Sequence, residues 1–264
     1  MITIDLEDFD IEKIAESGQC FRLNKEDDHW INVAGDRLIR IYDNKLKCNA
    51  RDYNTFWKPY FDLETDYSVF RNKIPKNDKF LSKAADFGKG IRILRQDPWE
   101  MLITFIISQR KNIPAIKSSV ESICSLYGHE IEEGIHSFPT ATELAHATES
   151  ELKNCGLGYR VPYIIAATQM VSSGKLDLES ISNYSDEELL EALMSVKGVG
   201  IKVANCVSLF GYHRIDAFPI DVWINRVLEE KYDNDFPINR YNGFAGVIQQ
   251  YMFYYVRNNA ESLL

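Results

Sequence analysis

The spacing of apolar positions along the chain changes near residue 88. Residues 29–50, HWINVAGDRLIRIYDNKLKCNA, alternate between apolar and polar side chains and contain a turn signal at Gly35. Later segments place apolar side chains every three or four positions and are separated by Gly, Pro and capping residues. The pattern predicts an α+β fold, with a small N-terminal antiparallel β-sheet region over residues 1–87 and a larger all-helical domain over residues 88–264.

Several helix ends are marked by capping residues. Asp97 followed by Pro98 is typical of a helix start, and Gly128 is typical of a helix end. Ser185 and Glu188 have the spacing of a capping box. Helices are predicted over residues 98–109, 113–128, 140–148, 149–156, 162–174, 185–196, 201–212, 221–232 and 246–259.

The composition is that of an ordinary globular protein, with 45% hydrophobic and 26% charged residues among 264. No apolar run approaches the roughly 20 residues of a membrane span. The N-terminus is acidic and lacks a signal-peptide pattern. We therefore expect a soluble, cytoplasmic protein that does not contact membranes.

The cysteines argue against several classes of site. They are five, widely spread and without a C-x-x-C pair, and they stand at Cys20, Cys48, Cys124, Cys155 and Cys206. A disulfide framework or a structural zinc site would need another pattern. An iron–sulfur cluster would need closely spaced cysteines, so we predict no iron–sulfur cluster, no metal ligands and no cofactor.

The net charge of −9 disfavours a DNA-binding function, but the charge is unevenly distributed. Residues 101–120 and 197–215 each contain three Lys or Arg residues and no acid. Residues 1–28 contain nine acids and three Lys or Arg residues. Because phosphate contacts are local, two acid-free basic windows are compatible with a DNA-binding surface.

The segment with the most specific signal is a predicted helix-hairpin-helix over residues 186–212. Its hairpin is Lys197-Gly198-Val199-Gly200, in which the glycines Gly198 and Gly200 permit a tight turn. The N–H groups that open the second helix have no partner in the helix and suit a phosphate. The alternative interpretation of this segment alone is a simple corner between two helices.

Lys202 stands on the first turn of the second helix, with Cys206 four residues later on the same face. A lysine at a helix N-terminus is disfavoured as a cation, and burial would lower its pKa further, toward an amine that attacks carbon. Asp221 follows Pro219 and could offset positive charge on a sugar ring. The alternatives are a solvated or phosphate-contacting lysine and an aspartate that only caps the helix beginning at Val222.

These residues carry a resemblance to a known family. The pattern L-x-x-V-K-G-V-G-x-K-V-A-x-C followed by P-I-D-V resembles the helix-hairpin-helix, Gly/Pro-Asp superfamily of DNA glycosylases. Further segments are similar to the 8-oxoguanine DNA glycosylases, and to their bacterial type more than to the eukaryotic forms: SGQCFR at 17–22, GIRILRQDP at 90–98, GLGYR at 156–160, Gln249 and Phe253.

The resemblance implies a bifunctional DNA glycosylase and AP lyase that flips 8-oxoguanine out of duplex DNA in base excision repair. Lys202 would be the nucleophile that forms a Schiff base, and Asp221 would assist it. The family also implies a monovalent cation held by hairpin carbonyls. We expect a monomer whose partner is double-stranded DNA containing oxidised guanine, associated with the nucleoid.

The resemblance also assigns the base-binding residues. The Gly18 carbonyl would accept the N7–H that 8-oxoguanine has and guanine lacks, which would make it the lesion-discriminating group. Phe253 and Cys206 would sandwich the flipped base, and Gln249 would bind its Watson–Crick edge. Taken alone, Phe253 and Cys206 are more typical of ordinary core positions, and Gly18 is more typical of an ordinary turn.

Other residues would contact the remaining duplex. Tyr159 would wedge into it, Arg160 would reach the opposite cytosine, and Arg110 stands where the family fills the gap left by the base. Ala115 replaces a second cytosine-reading arginine of eukaryotic members, so we expect a relaxed preference for the opposite base. Trp223 replaces a histidine and would contact a phosphate through its indole N–H.

Two alternatives stay open at this stage. One is a glycosylase of the same class for another damaged base, although alkyl-purine enzymes generally lack the lysine and the pyrimidine and adenine enzymes carry a cysteine cluster. The other is a non-catalytic helix-hairpin-helix module that binds DNA or a protein. In that case arginine could replace Lys202 without loss of function.

Overall fold

The computed structural model describes residues 2–263, which pack as two compact units. The first unit consists of Met1–Cys20, Ile41–Arg95 and His213–Leu264, and the second of Phe21–Arg40 and Gln96–Tyr212. These units are assembled from separate chain segments. The boundary predicted between residues 87 and 88 stays a prediction.

The predicted N-terminal antiparallel sheet is confirmed. Its five strands lie in the order β1-β5-β4-β3-β2. Strands β2 and β3 form a hairpin in which Leu23 pairs with Asn32, and β1 pairs with β5 so that Ile2 faces Cys48. The strands are β1 (Ile2–Asp5), β2 (Leu23–Glu26), β3 (His29–Ala34), β4 (Arg37–Tyr42) and β5 (Lys45–Cys48).

The last strand of this sheet ends at Cys48, whereas the sheet region was predicted to extend over residues 1–87. The aromatic residues Trp57, Tyr60 and Phe61 are buried, and their spacing of three and four residues is helical. The helices of this part of the first unit are α1 (Ile11–Glu16), α2 (Ala50–Asp52), a π-helical turn (Tyr53–Trp57), α3 (Lys58–Tyr60), α4 (Ser68–Asn72) and α5 (Lys79–Phe87).

The second unit holds most of the predicted helical domain, and the predicted caps are confirmed. The Asp97 carboxylate accepts the Glu100 N–H at 2.8 Å, and Ser185 with Glu188 forms a complete capping box. Its helices are α6 (Pro98–Ser108), α7 (Ile113–Tyr127), α8 (Ala141–Leu144), α9 (Glu149–Asn154), α10 (Val161–Ser172), α11 (Asp186–Met194) and α12 (Ile201–Phe210). Two 3₁₀ turns lie at Gly158–Arg160 and Ser180–Asn183.

The unit also contains a two-stranded sheet that the helical pattern did not indicate, formed by β6 (Glu130–Glu132) and β7 (Ile135–His136). The predicted helix-hairpin-helix is confirmed as α11, the hairpin and α12.

The last helices belong to the first unit. They are α13 (Val222–Tyr232) and α14 (Ala245–Asn258), with 3₁₀ turns at Ile238–Tyr241 and Ala260–Leu263. Helix α14 is buried on most sides, including Tyr251 and Met252. None of the helices within residues 2–263 is long and apolar enough to cross a membrane.

Candidate active site

Lys202 lies on the first turn of α12 and is half-buried. Its Nζ lies 5.6 Å from the ring centroid of Phe105, which belongs to α6 in the same unit. Phe105 in turn stacks on Phe210 with 5.5 Å between centroids. The amine of Lys202 therefore lies over a stacked aromatic pair formed by Phe105 and Phe210.

The start of α12 is open to an anion. Its N-cap is Gly200, which provides no side-chain hydrogen bond, and a side chain at Gly200 would meet open space. The first N–H groups of α12 therefore have no side-chain acceptor. This arrangement fits the phosphate site predicted from the hairpin sequence.

The hairpin rests on α10. Gly198 has a φ of +87°, which favours glycine, and a Cβ atom built there would overlap the ring of Tyr163. The Gly198 carbonyl accepts a hydrogen bond from Gln109 Nε2 at 3.1 Å. Gln109 follows α6, so α6 and α10 both hold the hairpin.

Tyr159 and Arg160 lie beside the C-terminal end of α6. The Tyr159 side chain is 53% exposed, as a wedge would require, and its hydroxyl donates to the Gln109 carbonyl at 3.3 Å. Arg160 is buried, and its Nε and Nη2 donate to the same carbonyl. Its Nη1 donates to the Leu157 carbonyl at 3.2 Å. In this conformation the guanidinium is directed into the protein, and its contact with an opposite cytosine stays a prediction.

Arg110 is exposed, and within residues 2–263 its side chain makes no hydrogen bond or ion pair. Its φ of +51° lies in the left-handed region, which makes the turn after α6 unusual for a residue with a side chain. Lys111 donates to Ser119 Oγ and to the Gly156 carbonyl. Burial and, secondarily, Arg160 lower the pKa of Lys111.

Lys117 is likewise engaged within the protein, because its Nζ donates to the Leu23 carbonyl at 2.6 Å. In the basic window over residues 101–120, Arg110 is thus exposed to a ligand, whereas Lys111 and Lys117 make hydrogen bonds within the protein. A count of charges along the sequence does not separate these roles.

In the first unit, Gly18 lies in the turn after α1 with a φ of +75°. Within the described chain its carbonyl accepts no hydrogen bond. The neighbouring Gln19 is fully buried, and its Nε2 donates to Ser17 Oγ at 2.8 Å and to the Arg92 carbonyl at 2.9 Å. Its Oε1 accepts the Leu94 N–H at 2.9 Å. The turn is therefore fixed while its carbonyl keeps free acceptor capacity.

Asp221 caps α13, which confirms the capping interpretation. Its Oδ1 accepts the N–H groups of Trp223 at 3.1 Å and Ile224 at 2.9 Å. Its Oδ2 has no hydrogen-bond partner among residues 2–263, so capping leaves one carboxylate oxygen for another role. The Trp223 ring is half-buried. The guanidinium carbon of Arg226 lies 5.7 Å from the centroid of this ring.

Gln249 and Phe253 lie one helical turn apart on α14. Gln249 is buried, its Nε2 donates to the Pro219 carbonyl at 3.0 Å, and its Oε1 accepts Gln250 Nε2 at 3.0 Å. Gln249 thus supports the segment that leads into Asp221. Phe253 is half-buried and has no aromatic ring contact within the described chain.

The predicted residues divide between the two units. Those in the second unit are Arg110, Tyr159, Arg160, Gly198, Gly200, Lys202 and Cys206, which is buried on α12. Those in the first unit are Gly18, Asp221, Trp223, Gln249 and Phe253. The sequence reasoning missed Gln19, Phe105, Gln109 and Tyr163, because their contacts join segments far apart in the sequence.

Comparison with known proteins gives the family. The family model of the 8-oxoguanine DNA glycosylase N-terminal domain matches residues 1–102, and that of the HhH-GPD superfamily base excision DNA repair proteins matches residues 103–235. The structure of MBOgg1 in complex with a low affinity DNA ligand is similar, with a TM-score of 0.91 and 37% identity over 98% of this chain and 96% of that chain. The chain belongs to the 8-oxoguanine DNA glycosylase branch of the HhH-GPD superfamily.

Two further relatives bear on this family membership. The Clostridium acetobutylicum 8-oxoguanine glycosylase/lyase, in complex with double-stranded DNA containing cytosine opposite 8-oxoG, has a TM-score of 0.88 and 33% identity over 96% of this chain and 93% of that chain. The N-glycosylase/DNA lyase of Saccharomyces cerevisiae is 38% identical over 202 residues, which are 70% of this chain and 53% of the yeast protein. The chain thus spans about half the length of the part-matching yeast relative.

Within residues 2–263, no group of three or more His, Cys, Asp or Glu side chains is placed to hold a metal ion. Two carbonyls at the hairpin are already engaged. That of Val196, just before the hairpin, accepts the Val199 N–H at 3.0 Å, and that of Gly198 accepts from Gln109. The monovalent cation and the absence of a cofactor stay predictions.

Proposed function

We propose that the protein is a bifunctional DNA glycosylase and AP lyase that excises 8-oxoguanine from duplex DNA. The observation that carries the proposal is the position of Lys202, on the first turn of a helix whose N-terminus is uncapped and open to a phosphate. The names of the relatives support the same activity, since the Clostridium protein is an 8-oxoguanine glycosylase/lyase.

The chemistry follows from the amine of Lys202. Its lone pair attacks C1′ of the damaged nucleotide, and the glycosidic bond breaks with its electron pair going to the base, which gains a proton. The free Oδ2 of Asp221 offers negative charge to the sugar as positive charge develops on the ring. The bound amine then loses one proton, the C1′–O4′ bond breaks as O4′ takes up a proton, and a protonated Schiff base joins Lys202 to C1′. Loss of a C2′ proton then breaks the C3′–O bond by β-elimination.

Lesion recognition is proposed for the base-binding residues. The Gly18 carbonyl, which has no partner within residues 2–263, accepts the N7–H of 8-oxoguanine and meets only a lone pair on guanine. Phe253, which is half-buried, stacks on one face of the flipped base, with Cys206 on the other face. For Gln249 to bind the Watson–Crick edge, its amide must exchange or share its bonds to Pro219 and Gln250.

We further propose that the protein works as a monomer on double-stranded DNA, at the nucleoid in the cytoplasm and without a cofactor beyond a structural monovalent cation. Hairpin N–H groups and the Trp223 indole N–H hold phosphates, and Tyr159 and Arg110 enter the duplex. Because Arg160 is engaged by the Gln109 carbonyl and Ala115 offers no donor side chain, preference for the opposite base is relaxed.

The test uses the full chain and a duplex with one 8-oxoguanine, with an identical guanine duplex as control. Released base is quantified by mass spectrometry, and strand nicking is measured without alkali. The proposal expects 8-oxoguanine release together with nicking, and neither product from the control. Release without nicking would contradict the lyase step, and tight binding without release would indicate a binding module.

A further inference from the structure

Gln109 joins the three loops that are proposed to contact DNA in the second unit. Its side-chain Nε2 donates to the Gly198 carbonyl of the hairpin at 3.1 Å and to the Ile106 carbonyl at 3.3 Å. Its own carbonyl accepts from Tyr159 and Arg160 of the Gly158–Arg160 turn. One residue thus bonds to the hairpin through its side chain and to the wedge turn through its backbone.

The contacts of Gln109 form a closed cycle with three other residues. The Gln109 amide binds Gly198, Gly198 packs on the ring of Tyr163, and Tyr163 meets the ring of Tyr159 edge-on at 6.3 Å between centroids. The Tyr159 hydroxyl then returns to the Gln109 carbonyl. We call these four residues, Gln109, Tyr159, Tyr163 and Gly198, the contact ring.

The position of Gln109 at the end of α6 strengthens this arrangement. The last carbonyls of a helix lack partners inside the helix and carry partial negative charge. The buried guanidinium of Arg160 supplies charge-assisted donors to the Gln109 carbonyl at this end. Arg110, the residue expected to fill the gap in the duplex, comes directly after this fixed point.

Helix α6 also connects the contact ring to the nucleophile. Phe105 and Gln109 are four residues apart and so lie on one face of the helix end. Phe105 lies under the Lys202 amine, and Gln109 binds the hairpin that opens the helix of Lys202. A shift of α6 against α12 would therefore disturb the nucleophile and the phosphate site together.

We propose that Gln109 is a positioning residue that locks the hairpin, the Tyr159 wedge and the Arg110 turn into one rigid frame. The inference rests on the proposed function and extends it to base extrusion. Phosphate binding at the hairpin then fixes where Tyr159 and Arg110 enter the duplex. Without the Gln109 hydrogen bonds, phosphate binding at the hairpin no longer fixes the positions of Tyr159 and Arg110 relative to the DNA.

The lock matters most when a base must be unstacked. Extruding a paired 8-oxoguanine costs stacking and pairing energy, whereas an abasic nucleotide has no base to unstack. Loss of the lock should therefore slow excision of the paired lesion much more than reaction at a preformed abasic site. A variant that merely folds less well would lose both activities in proportion.

The test compares Gln109→Met with Gln169→Met in the full chain. Methionine preserves the length of the side chain and removes its donors without adding charge. Gln169 is exposed on α10 and makes no side-chain hydrogen bond in the described chain, which makes it a matched control. Single-turnover rates are measured on an 8-oxoguanine·cytosine duplex and, by borohydride trapping, on the same duplex with an abasic site.

For Gln109→Met we expect a loss of about tenfold or more on the 8-oxoguanine duplex, the size expected for losing two neutral hydrogen bonds, and less than about threefold on the abasic duplex. Gln169→Met should match the native protein on both. Equal losses on the two substrates, or no loss on either, would overturn the proposal.

A second variant tests the same inference in case Gln109→Met disturbs more of the structure than its own hydrogen bonds. Tyr163→Ala removes the support under Gly198, and combining it with Gln109→Met should cost little beyond the larger single effect, since both open the same contact ring. Fully multiplicative losses would contradict a shared frame. If the native protein itself excises nothing, the proposed function fails, and that result is distinct from a native-like Gln109→Met.

Discussion

Two turns in the protein hold residues with positive φ at positions assigned to recognition, and each is held by a glutamine. Gly18 has a φ of +75° and lies beside Gln19, whereas Arg110 has a φ of +51° and lies beside Gln109. Gln19 is fully buried, and its side chain binds Ser17 and the 92–94 segment of the first unit. Gln109 is half-buried, and Arg110 is exposed.

The difference separates two kinds of recognition. At Gly18 the group proposed to bind the lesion is a backbone carbonyl, so its position depends on the buried framework and on no side chain of its own. At Arg110 the group proposed to enter the duplex is a side chain on an exposed turn, so it can change without disturbing the core. The proposed lesion contact thus depends on the fold, whereas the proposed gap-filling contact depends on a surface side chain.

The largest effect is expected from Gln19→Leu. Leucine leaves the Leu94 N–H and the Arg92 carbonyl without partners in a buried site, which should lower the free energy of unfolding by about 3 kcal/mol. Gln109→Leu should cost about 1 kcal/mol, because Gln109 and its partner Gly198 are only half-buried. Urea unfolding of both variants measures the difference between their losses in the free energy of unfolding. Equal losses would remove the distinction between the two turns.

A second prediction uses acid. The segment that binds Gln19 is anchored by Asp62, whose Oδ1 pairs with Arg95 Nη2 at 3.0 Å and whose Oδ2 lies 3.4 Å from His213 Nε2. Burial alone would raise the pKa of Asp62, but His213 and then Arg95 outweigh it and hold the pKa below its usual value. Its stabilisation is therefore complete above the unfolded value of about 3.9 and is lost as the pH falls through the lower folded value.

Asp62→Asn should accordingly cost about 2 kcal/mol at pH 6, and the difference from the native protein should shrink below about pH 4. Urea unfolding at pH 6, 4 and 3 measures it. The Arg110 turn is held by Arg160 and Lys111, which acid leaves charged, so Gln109→Leu should show a difference independent of pH. A pH-independent cost for Asp62→Asn would contradict the assignment.

The smallest effect concerns the turns themselves. Gly18→Ala forces a side chain into the left-handed region and should cost about 1 kcal/mol. Arg110 already has this strained backbone conformation, and Arg110→Gly relieves the strain. Glycine also raises the entropy of the unfolded chain, which acts in the opposite direction. The free energy of unfolding should therefore change by no more than about 0.5 kcal/mol. Thermal unfolding of the pair checks the contrast. A destabilisation by Arg110→Gly as large as that by Gly18→Ala would show that the turns are equivalent.

Much of this could be predicted from the sequence because the signals are local. Hydrophobic periodicity and capping residues located α6, α11 and α12, and the hairpin motif located Lys202. The helices between Ala50 and Phe87 were missed because their aromatic residues also suit strands. The long-range partners of Gln19, Gln109 and Lys117 lie between 50 and 94 residues away, so no local pattern indicates them.

The central claim is that Lys202 is a nucleophile acting on an oxidised guanine. The most direct test is borohydride trapping on a duplex with one 8-oxoguanine, comparing the native protein with Lys202→Gln and identifying the modified peptide. We expect a covalent adduct on Lys202 when the native protein reacts with the damaged duplex. Neither Lys202→Gln nor the native protein with undamaged duplex should give this adduct. Tight binding of the native protein to damaged DNA without any adduct would contradict this claim.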